Sequence, residues 1–168
     1  MLTNRAERKV TAFVCHKIVS PSGEVVRELR SKVSLAPQSQ NVEHTIECSL
    51  ANPQLWSPDT PNLYKVYTSL CDKEGNKLDG VLNSMGVRTF SLDAERGIFI
   101  NGKHYKLMGT NRHQDYCGEA NALSDAQHLA DIRDSKAFGS NFLRISHYPQ
   151  DRLVPQMCDR LGMVASIE

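Results

Sequence analysis

The sequence predicts two architectures in tandem: an all-β immunoglobulin-like sandwich over residues 1–92, followed by a partial α/β segment over residues 93–168. Three observations predict this. Apolar and polar residues alternate with period two in several runs between residues 10 and 92, with Gly- and Pro-containing turns between them. No stretch before residue 93 has convincing 3.6-residue periodicity. After residue 93, two helical patterns are interleaved with short strands, the arrangement that pairs strands in parallel. The length sets an upper bound. A complete (β/α)₈ barrel needs roughly 250 residues, and this chain has 168 residues and a mass of 18.8 kDa.

Val10–Val19 is rich in β-branched residues and ends at Ser20-Pro21-Ser22-Gly23, a turn whose Pro and Gly supply restricted φ values. Val25, Leu29, Val33 and Leu35 share one parity, and Glu28, Arg30, Lys32 and Ser34 take the other. Val42, His44, Ile46, Cys48 and Leu50 alternate with Glu43, Thr45, Glu47 and Ser49, which predicts a strand with one wet face. Tyr64, Val66, Thr68 and Leu70 repeat the pattern before a turn at Lys73-Glu74-Gly75-Asn76. Shorter strands are expected near Leu78–Leu82 and Met85–Phe90. Roughly six or seven strands at regular spacing suit an antiparallel sandwich.

In the second half, Ile98-Phe99-Ile100 and Tyr105-Lys106-Leu107 flank Asn101-Gly102, a hairpin signal because both turn residues tolerate positive φ. The second arm is expected to run on to Leu107-Met108-Gly109. Ser124-Asp125-Ala126-Gln127 fits a capping box that opens a helix to about Phe138, with Gly139 at the left-handed position beyond it. Asn141–Ser146 reads as a strand. Asp151 is expected to cap a second helix that buries Leu153, Val154, Met157, Cys158 and Leu161 and stops at Gly162. Met163–Ile167 is nearly all apolar, as expected of a strand covered on both faces.

Composition removes several function classes. The 20 basic and 19 acidic residues leave a net charge of +1, which offers no electrostatic argument for nucleic acid or an anionic membrane. No run of ~18 apolar residues is present to span a bilayer, and Met1–Val10 has no secretory pattern. The five cysteines are widely spaced with no CxxC, which argues against a zinc ribbon or a redox pair. Of these, Cys48, Cys71 and Cys158 are expected to be buried as small hydrophobes. There is no P-loop and no GxGxxG, and neither a cofactor nor a metal is expected.

Parallel α/β folds bind ligands at the C-terminal ends of their strands. Two polar clusters are expected there: Asn111-Arg112-His113-Gln114-Asp115 after the strand ending near Gly109, and Arg144-Ile145-Ser146-His147-Tyr148-Pro149 after Asn141. Glu168 follows the third strand. Two histidines, an arginine and two carboxylates would therefore face one crevice.

Two groups of motifs carry a family resemblance. Leu55-Trp56-Ser57-Pro58-Asp59-Thr60-Pro61-Asn62-Leu63-Tyr64 and Met85-Gly86-Val87-Arg88 resemble the central sandwich domain of family 2 glycoside hydrolases. Asn101-Gly102-Lys103, Gly109-Thr110-Asn111-Arg112-His113, Arg144-Ile145-Ser146-His147-Tyr148-Pro149 and Cys158-Asp159-Arg160-Leu161-Gly162 resemble the start of that family's barrel. The family contains β-galactosidases, β-glucuronidases and β-mannosidases. The resemblance runs from about residue 10 to 168, in the order and spacing of the family's motifs. It implies that 1–92 is the sandwich and that 93–168 is the first three strands and two helices of a (β/α)₈ catalytic barrel. The chain then corresponds to an internal fragment.

The resemblance also implies the chemistry. Retaining glycosidases use two carboxylates ~5 Å apart, one as acid/base and one as nucleophile. In this family both come from later barrel strands, with the acid/base in an Asn-Glu dipeptide. No Asn-Glu occurs in these 168 residues, so neither catalytic carboxylate is expected in them and the chain alone is expected to be inactive. His113 matches a histidine that touches the sugar, His147 a second that contacts sugar hydroxyls, and Arg144 an arginine beside the nucleophile, where its charge would favour an ionised carboxylate. Gln114-Asp115 departs from the His-Glu-His-like run of some β-galactosidases. Asn111, Asp115, Tyr148 and Glu168 are expected on the rim or behind it. Trp56 is expected in packing rather than sugar stacking, and Arg88 in an ion pair between domains.

The implied activity is hydrolysis of a terminal non-reducing β-linked sugar. A β-galactoside is the first expectation, a β-glucuronide the second and a β-mannoside the third. The expected partner is that carbohydrate, with neither nucleic acid nor membrane. Three parallel strands with open edges also predict self-association. The competing reading is a non-enzymatic sandwich that binds carbohydrate or a protein partner. The Asn-Arg-His and Ser-His-Tyr-Pro clusters argue against it, since an interaction module has no need of them.

Overall fold

The computed structural model describes all 168 residues. They divide into two compact units. The first comprises Met1–Gln54 and Tyr64–Met85, and the second comprises Leu55–Leu63 and Gly86–Glu168.

In the first unit, β1 (Val10–Val19), β2 (Val25–Leu35), β3 (Tyr64–Cys71) and β4 (Lys77–Met85) form an antiparallel sheet in the order β2-β1-β3-β4. The strand expected near Leu78–Leu82 lies within β4. No strand forms over Met85–Phe90: residues 86–89 are irregular, between the end of β4 at Met85 and a separate strand that begins at Phe90. Side-chain alternation puts Ala12, Val14, Val33 and Leu35 on one face, where they form a buried cluster joined by Leu2, Val42 and Leu70. The second layer of this sandwich is irregular chain. The strand expected over Val42–Leu50 makes no ladder, only an isolated bridge between Leu2 and Val42. Its alternation is nevertheless real: Val42, His44 and Ile46 are half-buried, while Glu43, Thr45 and Glu47 are exposed. Extended backbone alternates its side chains whether or not a neighbour pairs with it, so period two could not reveal the missing partner. The same segment leaves Cys48 exposed. Cys71 is half-buried, and only Cys158 of the three cysteines expected inside is fully buried.

The second unit holds two sheets. β5 (Phe90–Asp93), β6 (Gly97–Ile100) and β7 (Lys103–Tyr105) are antiparallel in the order β5-β6-β7. Asn101 and Gly102 turn the hairpin with φ of 52° and 76°. Its second arm is shorter than the sequence suggests. It stops at Tyr105, because Asn141 takes up the next backbone groups: its amide donates to the Lys106 carbonyl at 2.9 Å and its Oδ1 accepts from Met108 N–H at 2.8 Å. A new strand, β8 (Gly109–Arg112), then pairs in parallel with β9 (Phe142–Ile145), which pairs in parallel with β10 (Val164–Ile167). Gly109 is required there, since a Cβ would lie 1.8 Å from the Phe142 carbonyl oxygen.

Helix α1 (Asp125–Ala137) joins β8 to β9, and α2 (Leu153–Leu161) joins β9 to β10. The Ser124–Gln127 capping box forms as expected, with Gly139 at φ 93° beyond the helix end. Asp151 accepts from Leu153 N–H at 2.8 Å, and Gly162 closes α2 with φ 68°. The helices and the parallel sheet share a core of Ile132, Leu143, Ile145, Val154, Met157, Cys158 and Met163. β10 is not covered on both faces: Val164 and Ala165 are half-buried, and Ser166 and Ile167 are exposed. It is an edge strand with one neighbour.

Trp56, 2% exposed, anchors the remote segment of this unit. Its indole N–H donates to the Asp159 carbonyl at 2.7 Å, and its own carbonyl accepts from the Asn101 amide at 2.9 Å. It packs with Ile100 and Tyr105, as the packing expectation required. Asp59 adds bonds from Lys103 Nζ at 2.7 Å and from the Tyr105 hydroxyl at 2.8 Å. Arg88 forms no ion pair. Its guanidinium lies 4.7 Å over the Trp56 ring, a cation–π contact within the second unit.

Trp56→Ala should destabilise the second unit by about 3–5 kcal/mol, the usual cost of removing a buried large aromatic. Trp56→Phe should cost about 1–3 kcal/mol, mostly the orphaned Asp159 carbonyl. Urea unfolding followed through Ile132 and Leu143 methyl signals measures both. Equal losses for the two variants would show that the hydrogen bond outweighs the packing.

Candidate functional site

The C-terminal ends of β8, β9 and β10 bring the predicted polar clusters together. The first begins inside its strand rather than after it: Asn111 and Arg112 belong to β8, and His113 follows immediately. Alternation therefore sends Arg112 to the side opposite its two neighbours. Arg144 is in β9, opposite Asn111 on one flank and Ser166 on the other. Ser146, His147 and Tyr148 continue from β9, with a cis peptide between Ser146 and His147. Glu168 follows β10.

Glu168 is the hub of the exposed part. Its carboxylate accepts from Arg144 Nε at 2.8 Å, forms an ion pair with Arg144 Nη2 at 2.5 Å, and contacts His147 Nδ1 at 3.0 Å. His147 Nδ1 also lies 3.5 Å from Arg144 Nη2. A guanidinium only donates, so one nitrogen cannot serve both contacts; the shorter one decides, and Nδ1–H donates to Glu168. Arg144 reaches Asn111 Oδ1 at 3.4 Å. The hydrogen bond from His147 is the main cause that holds the Glu168 carboxyl below the usual carboxylate range. Partial desolvation opposes it, and the bond and charge of Arg144 add to it. The Arg144 and Glu168 side chains are 34% and 36% exposed, so this pairing orients groups more than it stabilises the fold.

His113 sits against the same group. Its ring centroid is 5.3 Å from that of His147 and 6.5 Å from that of Tyr148, both in edge-on geometry. The Tyr148 hydroxyl accepts from Gln114 N–H at 3.0 Å. Of the predicted residues, the structure thus joins His113, Arg144, His147, Asn111, Tyr148 and Glu168. Asp115 is exposed and makes none of the bonds of this cluster.

Sequence reasoning missed the buried side. Arg112, 8% exposed, pairs with Asp131 at 2.6 Å, donates to His128 Nδ1 at 3.0 Å and donates to Gln150 Oε1 at 2.6 Å. Tyr116 donates to the other Asp131 oxygen at 2.6 Å. One signal was available: a charged residue on the buried parity of a strand needs a partner. The identity of the partner was not readable, since Asp131 lies in a helix 19 residues on.

Comparison with known proteins gives a consistent picture. The model of "Glycosyl hydrolases family 2" matches residues 1–88, and that of the family's TIM barrel domain matches 93–168. A putative β-glucuronidase from Formosa agariphila is 40% identical over 116 residues, which is 69% of this chain and 14% of that protein. The β-galactosidase BoGH2A from Bacteroides ovatus is 31% identical over 167 residues, 99% of this chain and 19% of its own length. A crystal structure of a Bacteroides uniformis β-glucuronidase superposes with a TM-score of 0.91 at 39% identity, covering 97% of this chain and 20% of that one. The chain therefore spans a fifth or less of each of these relatives.

The Glu168 pairing has a definite pH sense. Its pKa is lowered in the fold, so the pairing is complete above the ordinary glutamate range and is lost as pH falls through the lowered value. A carbon-13 titration of the Glu168 carboxyl should place its midpoint below that range. His147→Gln should raise the midpoint more than Arg144→Gln does; the reverse order would make the guanidinium the main cause.

Proposed function

Because the chain belongs to family 2 of the glycosyl hydrolases, we propose that its residues form the sugar-holding rim of a retaining β-glycosidase acting on a terminal non-reducing β-linked sugar. The observation that carries this reading is the convergence of His113, Arg144, His147 and Glu168 at the C-terminal ends of three parallel strands. Active sites of barrel enzymes occupy that end. His113, His147 and Tyr148 offer ring edges and hydrogen-bonding groups to sugar hydroxyls. Arg144 contributes a fixed positive charge that keeps a neighbouring carboxylate ionised.

The same geometry separates binding from bond cleavage. Glu168 is held ionised, which unsuits it to donate a proton to a leaving group near neutral pH. Its lone pairs are already engaged by Arg144 and His147, which unsuits it as a nucleophile. With no Asn-Glu dipeptide among the 168 residues, the acid/base and the nucleophile come from chain outside them, and these residues alone do not turn over substrate. For the sugar we favour a β-glucuronide, since the protein named as a putative β-glucuronidase and the solved β-glucuronidase share 40% and 39% identity with this chain against 31% for BoGH2A. A β-galactoside is the second reading, supported by the BoGH2A match over 99% of the chain.

Two measurements on the purified chain test this. It should hydrolyse neither p-nitrophenyl β-D-glucuronide nor the β-D-galactoside, and turnover abolished by His113→Ala would overturn the assignment of chemistry. In an NMR titration, D-glucuronate should shift the His113 and His147 ring signals at lower concentration than D-galactose. His147→Ala should weaken that response about three- to tenfold, as for loss of one hydrogen bond. Silence of both rings toward both sugars would end the rim reading, and a stronger response to galactose would select the second sugar.

A further inference from the structure

The loop that carries His113 and the loop that carries His147 and Tyr148 are tied together by two glutamines, one from each side. Gln150, just beyond Tyr148-Pro149, accepts from Arg112 Nη1 at 2.6 Å. Its amide nitrogen donates to the Arg112 carbonyl at 2.6 Å and to the Ser146 carbonyl at 3.3 Å. One side chain thus bonds the guanidinium and the backbone of the residue before His113, and also the backbone of the residue before His147. Gln114, just beyond His113, returns the contact. Its Oε1 accepts from Asp151 N–H at 2.7 Å, and its backbone N–H donates to the Tyr148 hydroxyl. A further backbone bond runs from Ser146 N–H to the Arg112 carbonyl at 3.2 Å.

The two histidines themselves are exposed, and only the 5.3 Å edge-on contact joins their rings. His147 is also held by its bond to Glu168, whereas His113 has only ring contacts, so the spacing of the pair depends on whatever fixes the two backbones behind them. A neutral amide suits the position because it both accepts and donates at one place. Gln150 is half-buried beside the buried Arg112, where an unmet donor or acceptor is costly. A carboxylate there would keep the bond from Arg112 and lose both bonds to carbonyls.

We propose that Gln150 and Gln114 form a reciprocal clasp that sets the separation of His113 and His147. They are positioning residues that touch no sugar. The functional weight of the clasp rests on the reading of the rim as a sugar site; its geometry does not.

The test uses the full 168-residue chain with labelled histidines and methyl groups. In the unsubstituted protein, ring-to-ring nuclear Overhauser effects should connect His113 and His147. In Gln150→Glu those effects should vanish and both ring signals should move, while the Ile132, Leu143 and Val154 methyl spectrum stays in place. Gln150→Ala should do the same, and Gln114→Ala should weaken the effects partially. The D-glucuronate response should fall at least about threefold in Gln150→Glu, the effect of one misplaced hydrogen-bonding group. Unchanged ring contacts in both Gln150 variants would overturn the clasp. Loss of core methyl dispersion along with the ring contacts in Gln150→Glu, Gln150→Ala and Gln114→Ala alike would overturn it too, by making the glutamines general fold supports. Ring contacts that vanish selectively, in a protein whose unsubstituted form answers to neither D-glucuronate nor D-galactose, uphold the clasp and remove the sugar reading instead.

Discussion

The buried guanidinium of Arg112 is the constraint on which the second unit turns. A charge 8% exposed cannot stay without partners, because its desolvation costs several kcal/mol and only good pairing offsets it. Its partners come from two separate places: Asp131 and His128 on α1, and Gln150 beyond β9. Satisfying the one charge therefore sets how α1 lies against β8 and where the chain goes after β9. Asp131 is shared with Tyr116, so the loop between β8 and α1 is drawn into the same arrangement. The parallel sheet and its apolar core provide the cohesion, and Arg112 selects one alignment of the pieces.

The exposed rim is the other side of the same strand. Alternation along β8 points Arg112 inward and leaves Asn111 and His113 facing outward, where Arg144 and His147 meet them from β9. The two sides differ in kind. The inner charge is buried and has to be paired. The outer pairing is open to solvent, with Arg144 and Glu168 about a third exposed and His147 62% exposed, and it serves orientation. A site built this way exposes polar groups without endangering stability, since losing a rim group removes little burial.

The segment around Trp56 shows a similar division between local and remote causes. Its Ser57–Thr60 turn is local: Ser57 Oγ accepts from Thr60 N–H at 3.0 Å. Its position is remote: the indole bonds a carbonyl 103 residues away, and Gly162 lies so close that a Cβ would meet the Pro58 carbonyl oxygen at 2.4 Å. Gly162 thus has two reasons to be glycine, its left-handed φ and this contact.

Local physics was readable along the chain. The turn at Asn101-Gly102, the Ser124–Gln127 capping box and the αL stop at Gly162 each depend on residues within about one helical turn of one another, the apolar face of α2 lies within a single 9-residue helix, and each stands where the sequence puts it. His113, Arg144 and His147 were legible because polar clusters after strands are uncommon enough to notice. Tertiary structure alone decided the rest. It left Val42–Leu50 without a ladder, stopped the hairpin at Tyr105, gave Arg112 its helix partners and joined Glu168 to Arg144 and His147. These outcomes depend on which groups meet across 19 to 40 or more residues of chain. Periodicity reports the face a side chain takes, and it is silent on what stands opposite that face.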